Sequence, residues 1–230
     1  MDEWVRMLLE QNNSEALLKY LIEEEIEPGE RLPSLIDLSQ ELGFSVGKLR
    51  EELELARNLG FVSVRPRHGI RREKFDFHPA VQTSLLFGLA CGEATFEQFS
   101  LLRRTIETSM WHLAVTSLII EDKDHLFEIV AAAWKKLQGS PVHIPNDEHR
   151  ELHLTIFSRL DNPFVQGLLQ AYWDAYNAVE LTRFADYQYW LNVWNYHEKI
   201  VEAIDEGDVE GSRQLLVEHF ELLPTVTVST

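Results

Sequence analysis

The stretch SLIDLSQELGFSVGKLREELELARNLGFVSVRPRHGIRR, residues 34–72, decides how the first third of the chain folds. Ser34 offers a hydroxyl to a helix N-terminus, and Asp37 three residues on makes a capping-box-like start. This helix is predicted to reach about Leu42 and to stop at Gly43. Ser45 caps the next, which carries Leu49, Leu53 and Ala56 on one face and stops near Gly60. Phe61-Val62-Ser63-Val64 alternates like a strand, Arg65-Pro66-Arg67-His68-Gly69 is a turn, and Ile70 opens a returning strand. Two short helices with a glycine between them form a helix-turn-helix pattern. The arginine-tipped hairpin stands where a wing belongs. Each piece alone is a weak signal; their order, spacing and basic tip together predict a winged helix-turn-helix.

Upstream, Leu17, Leu18, Leu21 and Ile22 predict a helix over Ser14–Glu25, broken by Glu27-Pro28-Gly29-Glu30. Downstream, the period is helical nearly throughout from residue 80. Segments are expected over 96–117, 122–137, 147–160, 164–183, 187–206 and 208–223, followed by a short strand-like tail at 225–228. The expected architecture is mainly α: a winged helix-turn-helix over 1–73, a linker over 74–79, and an all-α bundle of six or seven helices over 80–230.

The net charge of −17 argues at first against a nucleic-acid partner. Its distribution reverses that. Lys48, Arg50, Arg57, Arg65, Arg67, Arg71 and Arg72 face only three acids within 48–72, so one basic surface sits on an acidic body. Binding through it should be steeply salt-sensitive. No run approaches the ~20 apolar residues of a membrane span. The start, Met1-Asp2-Glu3-Trp4, is acidic where a secretory signal is basic. The single cysteine, Cys91, excludes an internal disulfide and fits a reducing cytoplasm; it reads as a core residue.

Four of the nine histidines fall on apolar helix faces. His149 and His153 share one with Ile156 and Leu160, His197 lies with Ile200 and Ile204, and His219 with Leu215, Leu216 and Leu222. Taken singly, each reads as a hydrogen-bonded core residue. Four aimed into one bundle can instead hold a divalent ion: neutral imidazoles at i, i+4 chelate, and Zn²⁺ or Ni²⁺ suits nitrogen ligands.

The motifs also carry a family resemblance. Pro28-Gly29-Glu30-Arg31-Leu32-Pro33-Ser34, Leu42-Gly43, Leu49-Arg50-Glu51, Leu59-Gly60-Phe61-Val62 and Arg67-His68-Gly69 resemble the winged helix of the GntR superfamily. Leu102-Arg103-Arg104-Thr105-Ile106-Glu107, His153, Asn162-Pro163, His197-Glu198, Gly207-Asp208 and His219 resemble the ligand-sensing FCD domain of its FadR-type branch. The resemblance implies a transcription regulator. It implies that His153, His197 and His219 are metal ligands, with His149 where an Asp usually stands. It also implies that Arg103 is the pocket arginine, able to pair with a carboxylate effector that completes the metal's shell. A helical salt bridge to Glu107 is the structural alternative for Arg103. Ile36 and Val46 replace arginines that contact DNA in many members, so the usual operator is not expected.

On the DNA side, Lys48 and Arg50 lie at the start of the recognition helix and off its core face. Ser34 and Ser45 can present hydroxyl and backbone N–H groups to phosphates, or act only as caps. Arg65, Arg67, His68 and Gly69 at the wing tip can follow the backbone or minor groove. One small winged helix has too little surface for a specific site, so a homodimer on double-stranded operator DNA is expected. The rival, a metal-dependent hydrolase, rests on His149-Arg150-Glu151-Leu152-His153. It fails on geometry, because Glu151 lies about 200° around the helix from His149 and places no general base at the metal.

Overall fold

The computed structural model describes residues 16–178 and 186–222. The chain divides into two compact units, Met1–Ala80 and Val81–Thr230.

The first unit holds α1 (Ala16–Glu23), α2 (Leu35–Leu42), α3 (Val46–Asn58), β1 (Val62–Arg65) and β2 (Gly69–Arg72). The capping box forms as its sequence dictates. Asp37 N–H donates to Ser34 Oγ, and Ser34 N–H donates to Asp37 Oδ2, each at 3.3 Å. Gly43 then takes a φ of 71°, in the left-handed region that glycine tolerates best, and the chain turns into Ser45. Ser45 Oγ accepts the Lys48 N–H at 3.2 Å and starts α3. Leu17, Leu21, Leu38, Leu49, Leu53, Ala56, Val62 and Ile70 close the core. Glu52 on α3 is buried among them and accepts the Leu17 N–H at 2.7 Å. That N–H is one of those left without an intrahelical acceptor at a helix start, so a carboxylate on α3 pins down the beginning of α1.

The hairpin is antiparallel, with Val64 opposite Ile70 and Arg65 opposite Gly69. Leu32 N–H donates to Ile70 O at 2.9 Å, and Arg72 N–H donates to Glu30 O at 3.0 Å. Residues 30–32, for which the sequence offers no strand signal, therefore line the far side of β2 and cover that edge.

Beyond the hairpin the described residues are all helical: α4 (His78–Ala90), whose first three residues fall in the first unit, then α5 (Phe96–Thr116), α6 (Ile120–Leu137), α7 (Asn146–Ile156), α8 (Pro163–Ala178), α9 (Tyr187–Glu206) and α10 (Val209–Phe220). α6 begins two residues before Asp122, whose carboxylate accepts the Ile119 N–H at 3.0 Å; the acid caps the first turn from inside it. Asn162 Oδ1 accepts the N–H groups of Phe164 and Val165 and starts α8. α7 ends at Ile156, with a turn over 157–159 where a helix is expected. Trp111, Leu126, Ala133, Leu152, Ile156, Trp194, Ile200, Ile204 and Leu216 form the centre of the core, and Trp111 Nε1 donates to Ser212 Oγ at 2.9 Å. No helix among the described residues is long and apolar enough to cross a membrane.

Two expectations need correction. α4 starts at His78, inside the stretch read as linker, and none of its residues is buried. Apolar side chains are spread all round this helix, so no single stripe turns inward. Cys91 lies just past its end and is exposed, not a core residue. The expected helix over 179–183 and the tail at 225–228 fall outside the described residues.

Candidate metal centre and nucleic-acid interface

The DNA-facing candidates divide into committed and available side chains. Ser34 and Ser45 are exposed at the N-termini of α2 and α3, with their hydroxyls already engaged in capping. Lys48 is turned back: its Nζ lies 3.7 Å from Glu52 Oε1 and 4.3 Å from the centre of the Phe44 ring. Arg50 is exposed one turn into α3. Arg65, Arg67 and His68 are exposed at the hairpin tip, where Arg67 itself takes a φ of 66°. Gly69 takes a φ of 75°, in the left-handed region that favours glycine, and a Cβ there would come within 2.9 Å of Arg31 Nε, so that side chain would have to move. Arg71 donates to Gly29 O, and Arg72 to Phe61 O and Glu73 O; these two arginines clamp the wing to its own unit.

In the helical unit, α7, α9 and α10 bring His149, His153, His197 and His219 together. One nitrogen from each lies within 4.8 Å of every other, and no residue of the four is more than 3 % exposed. His153 Nε2 and His197 Nε2 are 3.3 Å apart. For Zn–N bonds of 2.0–2.1 Å, the edge of a tetrahedron is about 3.3 Å, so this pair is already spaced to share an ion. Both ring nitrogens of His149, and Nδ1 of His197 and of His219, are buried without a hydrogen-bond partner. Buried imidazoles are ordinarily satisfied; here ring nitrogens are left unpartnered in a buried cluster, and the donor set fits a divalent cation of borderline softness. Burial, reinforced by Arg103 and, for His149, His197 and His219, by neighbouring histidines, pushes all four imidazoles well below their ordinary pKa and keeps them neutral, the form that binds metal.

Arg103 and Glu107 on α5 stand beside the cluster. Arg103 Nε donates to Glu107 Oε1 at 2.7 Å and Nη2 to Oε2 at 3.3 Å. The guanidinium lies 4.4 Å from the Tyr172 ring centre, 4.8 Å from that of Trp173 and 5.1 Å from that of Phe220. Burial works against the Arg103 charge, but Glu107 and Tyr172 outweigh it and hold the group protonated. Burial raises the Glu107 carboxyl above its ordinary value, against the pull of Arg103 and His219. The salt bridge weighed from the i, i+4 spacing is thus present, and it also reaches the metal candidates: Arg103 Nη2 is 3.0 Å and Glu107 Oε2 3.2 Å from His153 Nδ1.

Sequence reading missed the walls. Trp173, Trp190 and Trp194 are wholly buried with their rings 4.6, 6.1 and 6.4 Å from His149. The signal available was the i, i+4 pair Trp190/Trp194 on the face that leads to His197, one turn further along α9. The outer face of α7 is chemically different. Glu151 points away from the histidines and pairs with His125 Nε2 at 2.9 Å. With Arg150, Leu154 and Thr155 it borders an open groove of about 550 Å³, completed by Gln166 and Gln170 of α8, that none of the four histidines lines. Glu151, the residue the rival reading would need as base, is therefore not at the cluster.

Comparison with known proteins follows the same division. The model of the FCD domain matches residues 98–222, and that of the bacterial regulatory proteins of the gntR family matches residues 11–71. The uncharacterized HTH-type transcriptional regulator YieP of Escherichia coli (strain K12) is 28% identical over 206 residues, 86% of each chain. The solved structure of Streptococcus agalactiae GntR shares the fold with a TM-score of 0.64 at 16% identity, over 90% of this chain and 95% of that one. The gntR family model and the YieP relative are those of regulatory proteins rather than enzymes. With the FCD match alone spanning more than half of its length, the chain belongs to the GntR family of bacterial transcription regulators, as a member whose helical half is an FCD ligand-binding domain.

Proposed function

We propose that the protein is a cytoplasmic homodimer that reads a pseudo-palindromic operator and whose helical unit senses a carboxylate effector through a histidine-bound divalent metal, Zn²⁺ or Ni²⁺. The observation that carries the metal reading is the convergence of four buried, neutral imidazoles within 4.8 Å of one another. Four neutral ligands leave the ion's two positive charges uncompensated, which favours an anionic fifth partner. Arg103 is the cation beside them that can share that anion.

The dimer reading is supported by α4. It is rich in apolar residues, buries none of them fully, and leaves Phe87 65% exposed; Leu101 and Leu113 on α5 are 64% and 58% exposed. Apolar surface of this kind marks an interaction site. Sedimentation at micromolar protein, with and without DNA, is expected to show a dimer; a monomer in both conditions rejects it.

For DNA, Arg50 on α3 and Arg67 at the wing tip are the proposed principal contacts, with Ser34, Ser45, Lys48, Arg65, His68 and Gly69 around them. Arg50→Ala and Arg67→Ala are each expected to weaken operator binding by about 1–3 kcal/mol where the contact is to a base. A smaller loss with a shallower salt slope identifies a phosphate contact. Fluorescence anisotropy with the DNA upstream of the protein's own gene, at two salt concentrations, reads both. Unchanged affinity in both variants moves the DNA face elsewhere.

A further inference from the structure

We infer that the position of one proton on His153 is contested by Arg103 and Glu107, and that Glu107 is the positioning residue that makes His153 a metal ligand. The inference rests on the metal reading above. Three contacts meet on the ring. Nε2 faces His197 Nε2 at 3.3 Å, while Nδ1 faces Arg103 Nη2 at 3.0 Å and Glu107 Oε2 at 3.2 Å. A neutral imidazole has one N–H, so Nδ1 is either a donor or an acceptor. A guanidinium can only donate, and a carboxylate can only accept. The two neighbours therefore demand opposite tautomers from the same nitrogen.

With Arg103 as the partner, the proton sits on Nε2 and points at His197 Nε2, which closes the cluster by a hydrogen bond and blocks the lone pair an ion needs. With Glu107 as the partner, the proton sits on Nδ1 and Nε2 is open. Coordination through Nε2 selects the second arrangement, and a carboxylate behind a ligating imidazole is the outer partner that fixes tautomer and ring orientation. Two donors cannot then face each other at 3.0 Å, so Arg103 Nη2 loses His153. It also shares Glu107 Oε2 with the new Nδ1–H. Its Nε keeps Glu107 Oε1 at 2.7 Å, so the side chain stays anchored while one N–H becomes available to an anion. His153 thereby links metal occupancy to the readiness of Arg103 for a carboxylate, a coupling that works in both directions.

Nitrogen-15 NMR of the histidine side chains tests this on the full-length protein, with His153 identified by the signal lost in His153→Gln. Metal-free protein is expected to show the His153 proton on Nε2, and zinc-loaded protein to show it on Nδ1. Glu107→Gln keeps the shape and removes the charge; its zinc affinity, by competition with a chromophoric chelator, is expected to fall about 10–100-fold. If that variant does not fold, the tautomer measurement on wild type decides by itself. A proton already on Nδ1 without metal, zinc held through Nδ1, or wild-type zinc affinity in Glu107→Gln overturns this inference while leaving the metal site standing. No zinc uptake by wild type overturns the metal site and the inference with it.

Discussion

Zn²⁺ supplied at about a hundred times its dissociation constant is expected to stabilise the helical unit by about 2.7 kcal/mol, since an ion that binds only the folded state shifts unfolding by mass action. For a unit of this size that corresponds to a rise in melting temperature of about 5–10 °C. The double change His153→Ala with His197→Ala is expected to abolish both the bound metal and the shift, because it removes the pair of nitrogens already 3.3 Å apart and leaves two ligands. Each truncation also opens a hole in a buried cluster, so the quantity to compare is the zinc-induced shift within each protein, not the absolute melting temperature. The winged-helix unit has its own core, from Leu17 to Ile70, and should stay folded. Elemental analysis of protein purified without an affinity tag is the direct check; no metal, together with no shift from Zn²⁺ or Ni²⁺, removes the site. Acid gives a second reading with a definite sign. The four imidazoles are held well below 6.5 in the fold but titrate near 6.5 when unfolded. The unfolded chain therefore gains protons first, and metal-free stability is present above about pH 6.5 and lost as the pH falls below it. In the folded protein the same depression keeps the ligands neutral, so metal occupancy should persist below the pH at which ordinary histidines would release it.

Arg103→Met is expected to cost about 3–5 kcal/mol of stability, because it strands the Glu107 carboxyl in a site with no solvent exposure. Glu107→Leu strands Arg103 in the same way. The double change Arg103→Met with Glu107→Leu removes both charges and should recover most of the loss, since apolar side chains of similar volume often replace a buried ion pair at little cost. Chemical denaturation of the four proteins forms a complete cycle. Single variants as stable as wild type, or a double variant losing the sum of the two single losses, would show that the pair is not energetically coupled. The recovered double variant should fold yet lack the donor proposed to meet an effector, so stability and sensing separate in one protein.

The winged helix was legible because its signals are local. Ser34, Asp37, Gly43 and Ser45 act on backbone atoms within a few residues, and each forms the cap or turn its chemistry dictates. The four histidines were legible because helical period assigns each to an apolar face, and in a bundle such faces converge. Period does not say which faces meet, and this is where reading stopped. Glu107 could be paired with Arg103 four residues away, but its contact with His153 joins α5 to α7 across 46 positions of sequence. The tryptophan walls are long-range in the same sense. The start of α4 at His78 and the exposure of Cys91 are not legible for a different reason: a helix with apolar side chains spread all round it, none of them fully buried, marks no core face from which its bounds or its neighbours' burial can be read.

The indole walls of the histidine cluster have a practical consequence. Among the described residues every tryptophan belongs to the helical unit, and three of the five have rings within 6.4 Å of His149. The remaining one, Trp4, lies near the start of the chain outside the described residues. Near-ultraviolet emission from this protein is therefore dominated by the sensing half, with most of its fluorophores in or beside the cage that would receive an ion. A paramagnetic quencher such as Ni²⁺ seated there would darken the nearest indoles at once. If an ion binds at the cluster, the protein's own indoles would report its occupancy with no label attached.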